Sequence, residues 1–471
     1  MFAKNSVINF ANSFFANASL FLTNVCLARF LGSDEYAVMV LLMNIVGTFV
    51  IFSNFGVTDA VTKFVAETSD KVKIGKLVSS SGFAFFLFIT GGALLLVASA
   101  GYLSKLFFGG GNTLYIRLSA SWMLFVSIVL FARSVGMGLH RMSIVIIGDL
   151  VHNPTRLLYV IALLLFGVSV GNIVVGWTII SIAGSLGLLV YFYYFIRRLG
   201  ICFYLPSTKE IKKILSYSIY LYMPFLSVYM IKHVLTLQLG AFSSNDEVSF
   251  FSVSMSLVTV SFLVFVPVAK ILMPTISRIY DLKEYPKMEV IAKILSKYIG
   301  AISILIAAFF CFYSKMALGF IYGNMYLQAA PVLVVLSLAI FFETLKFFTD
   351  PFLSGTQHAK TLSVIEIIRL FAMTLGGFFV IPAYGALGAA IVFLVTAAFG
   401  CGLKIVMLER MLKLNLFAET IKIISLFVIL IVALVLQVNF FVFLITEIML
   451  ILLLKLVSFK EIKTITKLLM S

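Results

Sequence analysis

Residues 77–103 read LVSSSGFAFFLFITGGALLLVASAGYL, a run of 27 residues that contains no charged side chain. An α-helix rises about 1.5 Å per residue, so a helix of this length exceeds the roughly 30 Å hydrocarbon core of a bilayer. The whole chain shares this character, because 62% of its 471 residues are hydrophobic and 11% are charged. Soluble domains carry about 25% charged residues. The composition excludes a water-soluble fold and predicts an all-α integral membrane protein.

Apolar runs of similar length recur along the chain and predict about fourteen transmembrane helices. The first twelve predicted spans are 6–31, 37–61, 77–103, 118–139, 144–166, 173–196, 215–239, 248–273, 292–312, 329–348, 362–380 and 386–408. The last apolar stretch, 421–456, is too long for one helix. A polar break at Gln437–Asn439 predicts that this stretch forms a hairpin of two short spans.

The first six spans resemble the next six, as in many transporters that contain internal repeats. In the first interhelical loop, Leu31-Gly32 precedes an Asp-Glu pair, and Leu239-Gly240 precedes another Asp-Glu pair in the corresponding loop. The sequence therefore predicts two pseudo-symmetric six-helix lobes, residues 1–200 and 201–414, followed by a C-terminal hairpin and a basic tail, 415–471. The alternative is that similar hairpin residues recur by chance.

The net charge of +16 does not predict nucleic-acid binding here, since the basic residues lie in short segments between the spans. Their distribution along the chain instead predicts its orientation in the membrane. Alternate segments hold roughly 27 and 4 basic residues, and the richer set is expected on the cytoplasmic side. Both termini are therefore predicted to be cytoplasmic. The first apolar run is expected to remain as a span, because it is too long for a signal peptide.

The loops between the predicted spans are short, which disfavours an enzyme, since membrane glycosyltransferases and polymerases need room for catalytic groups. The sequence contains no Walker loop, HExxH motif or plausible Ser-His-Asp arrangement. The four cysteines are far apart and are expected to be packing residues. We expect no metal and no cofactor.

Several motifs occur in order along nearly the whole chain. They are Arg29-Phe30-Leu31-Gly32, Asn54-Phe55-Gly56-Val57, residues 272–280 (LMPTISRIY), residues 322–326 (YGNMY) and residues 381–390 (IPAYGALGAA). Together they resemble the polysaccharide-exporting flippases (Wzx-type) of the multidrug/oligosaccharidyl-lipid/polysaccharide exporter superfamily. This resemblance implies a V-shaped pair of helical bundles, two last spans outside the twelve-helix core, and transport by alternating access in the plasma (inner) membrane of a prokaryote.

Three cations, Arg156, Lys232 and Arg369, lie midway along predicted spans. A charge at that depth is costly unless it faces water or a partner, so these residues are candidates for lining a central substrate cavity. There they would neutralise the phosphate or diphosphate that joins a glycan to its polyprenyl carrier. The alternative is structural pairing of Arg369 with Glu366 and of Arg156 with Asp149.

Polar side chains provide a second group of candidates. Asn9 and Asn12 lie on a polar face of the first predicted span, and Tyr229 and His233 lie in the seventh. They would hydrogen-bond sugar hydroxyls in a cavity, or they would hold helices together. Glu343 and Asp59 are candidates for H⁺ or Na⁺ coupling, because burial raises the proton affinity of a carboxylate. Alternatively, Glu343 forms an ion pair on its own helix.

The function predicted on these grounds is translocation of a polyprenyl-(di)phosphate-linked oligosaccharide to the outer leaflet for surface polysaccharide assembly. The expected partners are this lipid-linked cargo, membrane lipids and proteins of glycan assembly, with no nucleic acid. The alternatives are a lipid II flippase, a multidrug or cation exporter of the same superfamily, and a membrane enzyme of glycan assembly. A cation exporter should place acidic rather than basic residues in its cavity.

Overall fold

The structure is a computed structural model that describes residues 2–165 and 167–453, and these residues are almost entirely helical. The helices of the first half are α1 (Phe2–Leu31), α2 (Ser33–Asn54), α3 (Val57–Ala66), α4 (Lys71–Phe108), α5 (Thr113–Gly138), α6 (Met142–Leu163), α7 (Val170–Arg198), α8 (Thr208–Phe242) and α9 (Asn245–Ser261). The helices of the second half are α10 (Val266–Asp281), α11 (Tyr285–Phe312), α12 (Ser314–Ile321), α13 (Ala330–Gly355), α14 (Ala359–Leu412), α15 (Phe417–Val435) and α16 (Phe440–Leu453).

The helix lengths account for the predicted fourteen spans. Within the described residues, 11 helices are long and apolar enough to cross a membrane. One of these, α14, has 54 residues and is two helices in sequence, because Gly385 has non-helical angles, φ 53° and ψ −134°. These two halves, together with the 35-residue α8 and the shorter apolar α16 of 14 residues, give fourteen candidate spans among the described residues. The predicted integral membrane fold is confirmed.

The second predicted span, 37–61, is wrong at its end, because the structure divides it into α2 and α3. Phe55 and Gly56 have positive φ angles of 45° and 71°, which end α2 and turn the chain. The Nδ2 group of Asn54 donates to the Thr58 hydroxyl at 3.0 Å across this turn. A Cβ atom on Gly56 would lie 2.8 Å from the carbonyl oxygen of Ser218 in α8, so close packing here requires glycine.

The chain divides into two compact units, whose described residues are 2–165 and 167–249 in the first and 250–453 in the second. In the first unit, α5 packs against α3, α4, α6 and α7, while α8 packs on α2, α3 and α4. The side chains of Trp122 and Trp177 are among the largest buried ones of this unit. The lobe boundary at residue 200 is predicted from the similarity of the first six spans to the next six. It stays a prediction.

In the second unit, α13 is central and packs against α10, α11 and α14. Phe341 of α13 stacks on Phe427 of α15, with ring centroids 4.8 Å apart. Phe443 of α16 contacts Phe312 of α11 at 5.6 Å. The chain turns between α15 and α16 at Gln437, whose φ is 52°, as the polar break in the sequence predicts.

Candidate functional site

A cavity of about 250 Å³ lies within the first unit, between side chains of α1, α2, α5, α6, α7 and α8. Most of its wall is apolar, so a few polar groups determine what it can bind. The polar and aromatic lining residues are Thr23, Asn54, Trp122, His152, Asn153, Arg156, Trp177 and Tyr229. The cavity therefore combines one arginine, two indoles and several neutral hydrogen-bonding groups.

Among the described residues that line this cavity, Arg156 is the charged one, and its side chain is buried, with 8% of the residue exposed. Its Nε and Nη2 atoms have no hydrogen-bond partner among the described residues. The predicted alternative, an ion pair with Asp149, is not formed in the described part of the chain, where Asp149 pairs with Arg133 at 3.6 Å. Arg156 thus keeps its positive charge and unused N–H donors inside an apolar bundle.

Two tryptophans hold the guanidinium of Arg156. Its central carbon lies 4.7 Å from the ring centroid of Trp177 and 5.7 Å from that of Trp122. The two indoles meet edge to face at 5.5 Å, and Trp122 Nε1 donates to the Thr178 hydroxyl at 3.2 Å. Aromatic faces attract a cation without supplying a negative charge. The arrangement stabilises an arginine that remains able to bind an anion.

The local sequence of α6 places Arg156 at this depth. Pro154 lies inside the helix, and proline removes one backbone donor from the helical hydrogen-bond ladder. The neighbouring Asn153 donates to the carbonyl of Ala16 at 3.4 Å, which links α6 to α1. His152 lies one helical turn before Arg156, lines the same cavity, and packs its ring against Phe125 at 5.3 Å.

Two other predicted residues lie at or near this cavity. Tyr229 of α8 lines it. His233, one turn further along α8, places Nδ1 2.6 Å from Oδ1 of Asn44 in α2. The imidazole packs on Gly47, where a Cβ atom would lie 3.5 Å from it, and Gly47 is itself part of the cavity wall. The structure therefore brings Arg156 and Tyr229 together, with His233 against the wall.

The remaining predicted residues of the first unit do not join this group. The side chains of Asn9, Asn12 and Lys232 lie outside the described part of the structure. Asp59 is exposed in the first turn of α3, where a carboxylate interacts favourably with the helix dipole. The proposed roles of these four residues stay predictions.

Arg369 lies in the second unit, in a different environment from Arg156. It is buried, with 5% of the residue exposed. Its Nη2 atom forms an ion pair with Glu343 of α13, and its Nη1 atom lies 3.9 Å from a carboxylate oxygen of Glu366. The structural pairing that the sequence left open is thus present, and it includes a second carboxylate.

Arg369 belongs to a network of six charged residues on α13 and α14. Lys404 contacts Glu366 at 2.5 Å and Asp350 at 2.7 Å, and Lys346 contacts Glu343 at 2.7 Å. Three cations and three anions balance, so the network offers no net charge to a phosphate. Lys404 lies within the predicted span 386–408, and no sequence pattern indicated that it belongs to this network. The cavity role of Arg369 and ion coupling at Glu343 stay predictions.

Solved structures with the same fold are membrane transporters. One, "Lipid II flippase MurJ, inward closed conformation", has a TM-score of 0.74 and 14% identity, and the match covers 95% of this chain and 97% of that chain. A second, the inward-facing conformation of a multidrug resistance MATE family transporter of the MOP superfamily, has a TM-score of 0.72 and 12% identity, with 84% and 94% covered. The chain therefore has the fold of flippase-type transporters of this superfamily.

The family follows from the sequence itself. The family described as "Polysaccharide biosynthesis protein" matches residues 2–280. No curated protein matches the chain significantly. The chain belongs to the polysaccharide biosynthesis protein family, which confirms the resemblance found in its motifs.

Proposed function

We propose that this protein translocates a polyprenyl-(di)phosphate-linked oligosaccharide from the cytoplasmic to the outer leaflet, for assembly of a surface polysaccharide. The observation that carries the proposal is Arg156, a buried cation without a carboxylate partner among the described residues, in a cavity lined by hydrogen-bonding groups. The family and the transporter fold support a cargo that belongs to polysaccharide biosynthesis.

The chemistry of Arg156 suits a phosphate. A guanidinium presents its N–H donors in a planar fork that matches two phosphate oxygens. Buried donors without partners are costly, and the phosphate oxygens of a bound cargo would provide the missing acceptors. The neutral side chains of Asn153 and Tyr229 on the same wall are suited to sugar hydroxyls.

The setting of this transport is part of the proposal. The protein would lie in the inner membrane of a prokaryote with both termini in the cytoplasm, because the basic residues fall in alternate segments. It would work by alternating access, next to membrane lipids and proteins of glycan assembly. Coupling to H⁺ or Na⁺ would use a carboxylate, Glu343 or Asp59.

Transport by single variants tests the proposal. In proteoliposomes that contain a fluorescent polyprenyl-diphosphate oligosaccharide, Arg156→Ala should lower the translocation rate by about tenfold or more, since a charge-assisted contact is lost. Arg156→Lys should retain part of the rate, because it keeps the charge. Arg133→Ala is the matched control: this arginine is partly exposed and lies on the neighbouring helix. A normal rate for Arg156→Ala would contradict the proposed role of the cavity.

Lipid II is a second candidate cargo, and the similarity to the MurJ structure favours it. Both cargoes present a diphosphate to Arg156, so the arginine does not distinguish them. The same assay with lipid II in place of the oligosaccharide compound does. Faster translocation of lipid II would favour the second candidate. Export of a cationic drug is disfavoured, because Arg156 would repel a positive cargo.

A further inference from the structure

A second cavity of the first unit opens on its side, away from Arg156. It has a volume of about 460 Å³ and lies between α4 and α7, with α5 as its floor. Apolar and aromatic side chains dominate its wall, among them Phe83, Phe131, Leu189, Tyr193 and Phe203. We call it the lateral crevice.

The linker between α7 and α8 closes one end of the lateral crevice. The backbone N–H groups of Tyr204 and Ser207 donate to the hydroxyls of Ser79 and Ser80 in α4, each at 3.0 Å. The linker also passes directly over Gly75, where any Cβ atom would overlap a linker carbonyl oxygen. The end wall is therefore built into the fold.

The side of the lateral crevice remains open. Phe83, Leu189, Tyr193 and Phe203 line it, and each is 40% or more exposed. Tyr193 and Phe203 stack with ring centroids 5.8 Å apart, so the mouth keeps a defined shape. The helices α4 and α7 are long and apolar enough to span a bilayer, so a mouth between them would face the hydrocarbon chains of the lipids.

Basic residues surround the closed end of the lateral crevice. Lys71, Lys73 and Lys76 begin α4, and Arg197 and Arg198 end α7. Within the described residues none of these five cations forms an ion pair with a carboxylate. The Nζ atom of Lys76 lies 5.8 Å from the ring centroid of Tyr204 in the end wall. An apolar slot with cations at one end is complementary to a lipid that has an anionic headgroup.

We propose that the lateral crevice binds an anionic phospholipid, with one acyl chain between α4 and α7 and the headgroup at Lys76, Arg197 and Arg198. The site is separate from the cavity of Arg156, so its occupation does not depend on the transported cargo. It would anchor the basic end of the first unit at the headgroup level of one leaflet.

Tryptophan quenching by brominated lipids tests this site directly. Tyr193→Trp places a reporter in the mouth of the lateral crevice, and Leu94→Trp places one at an exposed position further along α4. Fluorescence of the two natural tryptophans, which are buried, is subtracted with the parent protein. In phosphatidylcholine bilayers, brominated phosphatidylglycerol should bind at the Tyr193→Trp reporter about fivefold more strongly than brominated phosphatidylcholine. Equal binding there, or the same preference at the Leu94→Trp reporter, would overturn the proposal.

The cations provide a second test. Lys76→Gln, Arg197→Gln and Arg198→Gln, combined in the Tyr193→Trp protein, should remove the preference for phosphatidylglycerol and leave quenching by phosphatidylcholine unchanged. Raising the ionic strength should weaken the preference in the parent reporter protein. A preference that survives the three substitutions would show that these cations do not hold the headgroup.

Discussion

The guanidinium carbon of Arg156 lies 4.7 Å from the ring centroid of Trp177. An indole face lowers the cost of burying a cation, yet it leaves the positive charge uncompensated. A carboxylate at the same distance would neutralise the arginine and compete with any anionic ligand. The aromatic environment therefore leaves the charge of Arg156 available for the phosphate of the proposed cargo.

A carboxylate introduced beside Arg156 should block transport. Asn153→Asp keeps the size of a side chain that lines the same cavity and adds a negative charge three residues away on the same helix. We expect the translocation rate of the diphosphate-linked cargo to fall at least about tenfold, because the new charge competes with phosphate for the guanidinium.

Asn153→Ala is the control for this experiment. It removes the amide, its long contact with Ala16 and its proposed contact with the cargo but adds no charge, so transport should fall much less than in Asn153→Asp, by no more than the loss of one neutral hydrogen bond. Equal losses of translocation rate in Asn153→Asp and Asn153→Ala would mean that transport depends on the amide of Asn153 and not on the charge beside Arg156.

The pair of Arg369 and Glu343 should contribute to stability. Arg369→Met removes one of the three cations of the network and leaves three carboxylates facing two lysines, Lys346 and Lys404. Loss of one partner of a buried pair costs about 3–5 kcal/mol, and the remaining lysines offset part of this cost. Thermal unfolding in detergent should therefore shift to clearly lower temperature.

The double variant Arg369→Met with Glu343→Gln removes both charges and should regain most of the lost stability. Transport by this double variant then tests whether the pair is only structural. Normal transport would support a structural role. A stable protein that does not transport would support the roles predicted from the sequence, substrate binding by Arg369 or ion coupling by Glu343.

Gly385 should be required for the turn inside α14. Its φ of 53° and ψ of −134° fall in a region that is essentially open to glycine alone, and other residues there cost about 1–3 kcal/mol. Gly385→Ala should lower the unfolding temperature in detergent. Gly402→Ala, in the second half of the same helix, is the control, since a Cβ atom there meets nothing within 4 Å. It should be neutral or slightly stabilising.

The predicted orientation can be tested with cysteine labelling. Cys202 is exposed and lies in the linker between α7 and α8, which is predicted to be cytoplasmic from the basic residues around it. A membrane-impermeant maleimide should label it only after the cells are permeabilised. Gly110→Cys in a Cys202→Ser protein should be labelled in intact cells, because it lies in the loop between α4 and α5 on the other side. The reverse pattern would overturn the predicted topology.

Much of the membrane fold could be predicted from the sequence. The length of an apolar run, which must match the bilayer thickness, and the charges that flank it are both properties of a short segment. The separation of α15 from α16 falls at the predicted break at Gln437–Asn439, and the turn at Gly385 falls between two predicted spans. The end of α2 at Asn54 could not be predicted in this way. The apolar run that contains α2 continues to Val61, and the turn at Phe55 and Gly56 depends on the packing of Gly56 against α8.

The sequence by itself determined that this chain is a membrane protein of about fourteen spans and that a few ionisable residues lie inside them. It did not distinguish Arg156 from Arg369, since each is an arginine in midspan with an acidic residue nearby on its own helix. Tertiary packing separates them. It brings Glu343 to Arg369, and it brings Trp122 and Trp177 to Arg156. Which side chains of distant helices meet depends on how each helix is rotated in the bundle, and no local sequence period encodes that rotation.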